Sequence, residues 1–179
     1  RLRGRHNLEN AGAARTAARE RGISEPAIAL ALSSFAGVAH RLEEVGERDG
    51  VVYVNDSKAT NVAATLVALE AFEGGVHLIL GGRAKGEDFT RLRAPVAAVC
   101  AAAYLIGEAA PEIHAALDGA VALHDCGELD HAVHAASTAA GPGEVILLSP
   151  ACASYDQFTD FEERGERFRE LVLQPSPPA

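Results

Sequence analysis

The sequence predicts a doubly wound α/β domain with about five parallel strands and one antiparallel strand. Three observations carry that reading. Short apolar runs at 51–54, 76–80 and 145–148 show no polar alternation, the pattern of strands buried on both faces. Helical patterns separate these runs, the alternation that a parallel sheet requires. An Asp49-Gly50 step between two strand-like segments, 42–46 and 51–54, is a hairpin signal that adds the antiparallel strand.

The elements follow in order. Asn7 is read as the N-cap of a first helix over 8–21, with Gly22 as its stop. Ser24 caps a second helix that carries Pro26 in its first turn and runs to about residue 35. After the hairpin comes a helix over 63–72, with Leu66 and Leu69 on its apolar face. Strand 76–80, strand 101–106, a helix near 111–117 and strand 121–124 follow. A helix over 129–140 and strand 145–148 complete the alternation. Thr159-Asp160-Phe161-Glu162 has the capping-box spacing and opens a last helix to about residue 172. The Pro-rich segment 174–179 is expected to be a disordered tail. The sheet lies within 37–173, and the helices of 1–36 are expected to belong in part to something that precedes them.

The chain has 179 residues, one domain's worth, with 16 Lys+Arg against 25 Asp+Glu and a net charge of −9. That balance argues against nonspecific binding to nucleic acid or to an anionic membrane. The longest apolar run, 94–107, is shorter than the ~20 residues of a spanning helix, so no membrane insertion is expected. Cys100, Cys126 and Cys152 are odd in number and fit neither a metal nor a disulfide spacing. They read as buried thiols in a reducing cytoplasm. The sequence contains no Met and is expected to be a piece of a longer polypeptide.

Ligands of open α/β sheets bind at the carboxyl ends of the strands. Three loops there are dense in polar groups: Asn55-Asp56-Ser57-Lys58-Ala59-Thr60-Asn61, Gly81-Gly82-Arg83-Ala84-Lys85-Gly86, and the run 149–158. Lys58 and Lys85 are the only lysines of the chain, and both lie in these loops. An ammonium is a compact point charge suited to one carboxylate or phosphate oxygen, so the pair suggests an anion site; two exposed lysines could also fall there by chance. Asp56, Ser57, Thr60 and Asn61 include more polar side chains than a helix cap needs. Gly81, Gly82 and Gly86 would let a backbone approach a ligand closely. There is no G-x-G-x-x-G and no G-x-x-x-x-G-K-[ST], so neither a dinucleotide fingerprint nor a Walker A cradle is present. His131 and His134, with His124, Asp125 and Cys126 nearby, read as a solvated helix face before they read as a metal site. Arg15 and Arg19, and Arg164, Arg167 and Arg169, read as surface ion pairs with neighbouring glutamates.

Asn55-Asp56-Ser57-Lys58-Ala59-Thr60-Asn61 and Ser149-Pro150-Ala151-Cys152-Ala153-Ser154-x-Asp156-Gln157-Phe158 closely resemble the Mur ligases, and among them the branch that adds D-glutamate. Gly4-Arg5-His6-Asn7-Leu8-Glu9-Asn10, His40-Arg41 and Gly81-Gly82-x-x-Lys85 match as well. The resemblance runs from Gly4 to about Leu173. It implies a Rossmann-like C-terminal domain, preceded by two helices from the end of a central ATPase domain. It also implies an ATP-dependent ligase, needing magnesium, that joins D-glutamate to UDP-N-acetylmuramoyl-L-alanine through an acyl phosphate. By position, Asn7 and Asn10 resemble the segment near the adenine, and Arg41 and Asp56 the groups that hold the nucleotide. Lys58 resembles the catalytic cation that approaches the phosphates or the reacting carboxyl. Thr60, Lys85, Ser154, Tyr155 and Phe161 resemble the D-glutamate pocket. Magnesium ligands and the Walker A loop lie upstream in the family, so no metal ligand is assigned here and these 179 residues alone are expected to be inactive. A hinge near 35–39 is expected to swing the domain over the nucleotide. A ligase of the same superfamily for another amino acid, and a non-catalytic module that binds a small anion, are the competing readings.

Overall fold

The computed structural model describes residues 4–174 of the chain. The expected tail, apart from Gln174, lies outside them. Two helices, α1 (Arg5–Glu20) and α2 (Glu25–Ser34), precede a hairpin of β1 (Glu43–Arg48) and β2 (Val51–Asn55). Then come α3 (Val62–Leu69), β3 (Val76–Gly81), a 3-10 turn (Phe89–Leu92), α4 (Arg93–Val99) and β4 (Cys100–Ile106). The chain continues through α5 (Ala110–Leu117), β5 (Ala122–Gly127), α6 (Leu129–Ala139), β6 (Val145–Leu148) and α7 (Phe161–Leu173).

The six strands form one sheet in the order β1-β2-β6-β3-β4-β5. Only the β1–β2 pair is antiparallel. The expected count of five parallel strands and one antiparallel strand therefore holds. Asp49 and Gly50 both take positive φ, 53° and 78°, the backbone a tight hairpin with right-handed strand twist demands. The chain crosses from β2 to β3 and returns last to fill the gap between them with β6. Every residue of β3 and of β6 is buried, as their unbroken apolar sequence predicts.

Two cores flank the sheet. Val54, Leu78, Leu80, Leu105 and Leu147 pack with α3, α4 and α5 on one face. Tyr53, Ile79, Tyr104, Ile146 and Leu148 pack with α6 and α7 on the other. The period-2 geometry of a strand is what sends neighbouring residues to opposite cores.

Several boundaries differ from the sequence reading. The first helix begins three residues earlier, capped by Gly4, so Asn7 lies inside its first turn and is not the N-cap. Gly22 does terminate it: φ is +75°, and the N–H groups of Gly22 and Ile23 turn back to the carbonyls of Arg19 and Ala18. The strand read over 101–106 begins at Cys100, and the residues before it, which the sequence reading leaves unassigned, are helical. They form α4, which passes into β4 without a break. The last helix is capped by Asp160, not Thr159: Asp160 Oδ1 accepts from Glu163 N at 2.8 Å, while Thr159 N donates to Glu163 Oε2 at 2.6 Å. The side-chain cap lies one residue later than the sequence pattern placed it, and Glu163 reaches back to the N–H of the residue before the cap.

Candidate functional site

The carboxyl ends of the five parallel strands deliver their loops to one edge of the sheet, and β6 sits between the two lysine-bearing loops. Along β2 the backbone runs from the buried Asn55 into Asp56, Ser57 and Lys58. Asn55 orders this turn. Its Oδ1 accepts from Ser57 N at 3.1 Å, and its Nδ2 donates to Gly165 O at 3.2 Å. Asn61 then caps α3 by accepting from Ala64 N at 2.8 Å. One of the four polar residues in this loop is thus a cap, and Asp56 and Ser57 have different partners.

Asp56 is 7% exposed. Its Oδ1 accepts from Leu42 N at 3.2 Å and its Oδ2 from Ser149 Oγ at 2.8 Å. Burial raises its carboxyl to about 6, against the lowering effects of Ser149, the Leu42 amide and the Arg41 charge. Asp56 therefore titrates just below neutrality and keeps spare lone pairs for a hydroxyl donor.

Asp56 and Lys58 face a cleft of about 730 Å3. Asn7 and Asn10 of α1, three residues apart and so on one helix face, line it with Arg41. Ala14, Leu32, Phe35, Val38 and Val67 supply apolar walls. The nucleotide group of the sequence reading, Asn7, Asn10, Arg41, Asp56 and Lys58, is thus brought together around a single concavity. A second cleft, of about 560 Å3, lies between α6, α7 and residues 156–158. Six carboxylate residues line it against Arg167 alone, which makes it a poor site for an anion.

The residues assigned to the amino-acid pocket lie outside the 730 Å3 cleft. Thr60 is two residues past Lys58. Ser154, 2% exposed, follows Ala153, which exchanges both backbone hydrogen bonds with Arg83 at 2.9 and 3.1 Å. That bridge joins the loop after β6 to the Lys85 loop. Lys85 is exposed, and Tyr155, 64% exposed, points away from the packed edge. Phe161, at the start of α7, meets Lys58: the ammonium stands 3.6 Å from the ring centroid.

Gly81 and Gly82 serve neighbouring backbone. At φ of 124° and 127°, added Cβ atoms would stand 1.9 Å from Ile106 O and 2.2 Å from Ala153 O. Arg167 and Arg169 form ion pairs as expected, Arg167 with Asp130 and Glu170, Arg169 with Glu43 and Glu166. Arg15 and Arg19 pair with Glu25 across the α1–α2 turn. Arg164 does not belong with them. It is 1% exposed and donates from Nε to Ser57 Oγ at 3.0 Å, and from Nη2 to Ser57 O at 2.9 Å and Cys152 O at 3.1 Å. Burial lowers it to about 10, still protonated at neutral pH. Sequence reasoning missed it, although Phe161, Arg164, Gly165, Phe168 and Val172 form a helical stripe whose inward side includes position 164. His114 pairs with Asp125 at 3.1 Å and His124 stacks on Tyr104, so these residues do not converge with His131 and His134. Among the described residues no group of three or more His, Cys, Asp or Glu is arranged to hold a metal ion. Burial pushes the thiols of Cys100 and Cys152 up to about 12.

The sequence model described as "Mur ligase, glutamate ligase domain" matches residues 40–152, more than half of the chain. The chain belongs to the Mur ligase family. The UDP-N-acetylmuramoylalanine--D-glutamate ligase of Acidobacterium capsulatum is 54% identical over 172 residues, 96% of this chain and 37% of that protein. The ligase of the same name from Solibacter usitatus is 52% identical over 176 residues, 97% of this chain and 40% of that protein. The chain thus spans about two fifths of the length of these Mur ligases. Among solved structures, UDP-N-acetylmuramate-alanine ligase from Thermotoga maritima superposes with a TM-score of 0.72 at 16% identity, over 96% of this chain and 38% of that one. A Mycobacterium tuberculosis folylpolyglutamate synthase complexed with ADP gives 0.70 at 14% identity, over 98% and 42%. At such identities the Mur ligase fold is shared and nothing finer follows. Among the described residues no helix is long and apolar enough to cross a membrane.

Proposed function

We propose that the chain is the C-terminal part of an ATP-dependent ligase that joins D-glutamate to UDP-N-acetylmuramoyl-L-alanine, acting in the cytoplasm. The observation that carries the proposal is the cleft. It gathers Asn7, Asn10, Arg41, Asp56 and Lys58 in a chain about half identical to ligases of that name. Residues 1–36 are read as the end of a central ATP-binding domain and 37–173 as the C-terminal domain, with a hinge near 35–39. The family match beginning at residue 40 supports that division.

The proposed reaction has two steps. An oxygen of the L-alanyl carboxylate attacks the γ-phosphorus of ATP, the bond to the bridging oxygen breaks, and ADP leaves. The amine of D-glutamate then attacks the acyl-phosphate carbon, loses a proton, and the amide forms as phosphate departs. In this scheme the asparagines and apolar walls take the adenine side. Arg41 offers a charge to the nucleotide, and Asp56 accepts from ribose hydroxyls on its remaining lone pairs. Lys58 offsets charge that builds on the transferring phosphate. Lys85 pairs with a D-glutamate carboxylate, while Thr60, Ser154, Tyr155 and the Phe161 N–H supply or frame its other contacts. Magnesium does not fit the described residues, because among them no carboxylate cluster accompanies Asp56. Its ligands are proposed to lie in the rest of the ligase, and no step above runs through it.

The test is Lys85→Ala in the intact ligase. Loss of one charge-assisted contact raises the KM for D-glutamate roughly 10- to 150-fold. An unchanged KM removes Lys85 from the pocket.

A further inference from the structure

The first residue of α7 presents its ring to the lysine of the cleft. Nζ of Lys58 lies 3.6 Å from the Phe161 centroid, well inside the ~6 Å over which the negative face of a ring attracts an ammonium. The ring is held from other directions. The His40 ring meets it edge-on, with centroids 6.0 Å apart at 80°. Ser57 Oγ donates to the Phe161 carbonyl at 2.8 Å. The lysine backbone is tied to the same neighbour, its N–H donating to His40 O at 3.1 Å. His40 is itself fixed, 6% exposed, with Nδ1 3.1 Å from Asn55 Nδ2. Both ends of a flexible four-carbon side chain are therefore referenced to one pair of residues, His40 and Phe161.

We propose that the Phe161 ring is a positioning group for Lys58. It holds the ammonium at the rim of the cleft before an anion arrives, so little side-chain freedom remains to be lost on binding. A ring face occupies one side of the ammonium and leaves the other side open to a phosphate or carboxylate oxygen. The inference rests on the reading of Lys58 as the cation at the phosphates and assigns the ring a task separate from the backbone N–H of the same residue.

Lys58 and Lys85 are the only lysines, so reductive 13C-dimethylation of the full 179-residue chain yields two side-chain signals and one from the α-amine. Lys58→Arg and Lys85→Arg assign them, and the dimethyl ammonium keeps its charge. The Lys58 methyls are expected upfield of the Lys85 methyls because they sit in the shielding region of a ring. Phe161→Leu moves them to the Lys85 position, and Phe161→Tyr keeps them upfield. Coincident Lys58 and Lys85 signals in the unsubstituted chain, a comparison that needs no variant to fold, would overturn the proposal. So would a Lys58 signal unmoved in Phe161→Leu. In the intact ligase, Phe161→Leu lowers kcat roughly 3- to 30-fold, and Phe161→Tyr restores it. A ligase indifferent to Lys58→Ala would sink the functional reading of Lys58 and the positioning role with it. A Lys58-dependent ligase without the ring-shifted signal would sink the role of the ring alone.

Discussion

Asp56→Asn is expected to stabilise the chain at neutral pH while weakening nucleotide binding. Burial raises the Asp56 carboxyl from the ordinary 3.8 to about 6, so the folded state holds the proton more tightly than the unfolded state does. The stability that this gives is complete below about pH 4. It is lost as pH rises through 6, where the folded state must carry a buried charge. A displacement of this size corresponds to about 3 kcal/mol between the two limits. Asparagine removes the ionisation. Its Oδ1 can still accept from Leu42 N, and its amide can donate to Ser149 Oγ, whose hydroxyl has Thr65 Oγ1 as another partner at 3.2 Å. Urea unfolding of the two chains between pH 4 and 8 measures the difference. Asp56→Asn should be more stable by about 1–3 kcal/mol at pH 8, with the gap closing toward pH 4. A gap independent of pH, or a variant less stable at pH 8, would refute the argument that burial dominates this carboxyl.

Other outcomes follow from the same geometry. Gly165→Ala places a Cβ 2.2 Å from His40 Nδ1, so chemical denaturation should show a loss of about 1–3 kcal/mol, and His40→Ala in the same chain should relieve part of it. Asp160→Ala removes the side-chain acceptor for Glu163 N and should cost about 1 kcal/mol in urea, whereas Thr159→Ala, outside the cap, should cost less. Cys152 is fully buried with its thiol near 12, so iodoacetamide at pH 8 should alkylate it only after denaturant is added, as read by peptide mass.

Strands β2, β3 and β6 were legible because each is a short apolar run with turn residues on both sides, and the hairpin was legible from Asp49-Gly50. The order of the strands was not. Placing β6 between β2 and β3 depends on pairing residues about 70 to 95 positions apart, Val76 and Val52 both with Val145, and no local pattern encodes that. α4 was invisible for a local reason: Ala94 to Ile106 offers no glycine to mark where helix becomes strand. The start of α1 was misplaced because Asn7 is a good cap by type, yet Gly4 at φ 89° makes the turn. Reading three residues later hid the fact that Asn7 and Asn10 share the face that lines the cleft.

Arg164 shows why a charged residue can be harder to place than an apolar one. A guanidinium written among glutamates resembles one more surface ion pair. Here it bridges the loop after β2, through Ser57, and the loop after β6, through Cys152 O. A Cβ at Gly82, after β3, would stand 3.2 Å from its Nη1. An apolar side chain of equal volume would avoid the desolvation that lowers Arg164 to about 10, but it would leave two buried carbonyls without these donors. The same Ser57 hydroxyl that accepts from Arg164 donates to Phe161 O, and Phe161 carries Lys58 on its ring. One buried cation therefore fixes the loops from beneath, and that support leaves the half-buried cation, Lys58, held at the cleft rim by a ring.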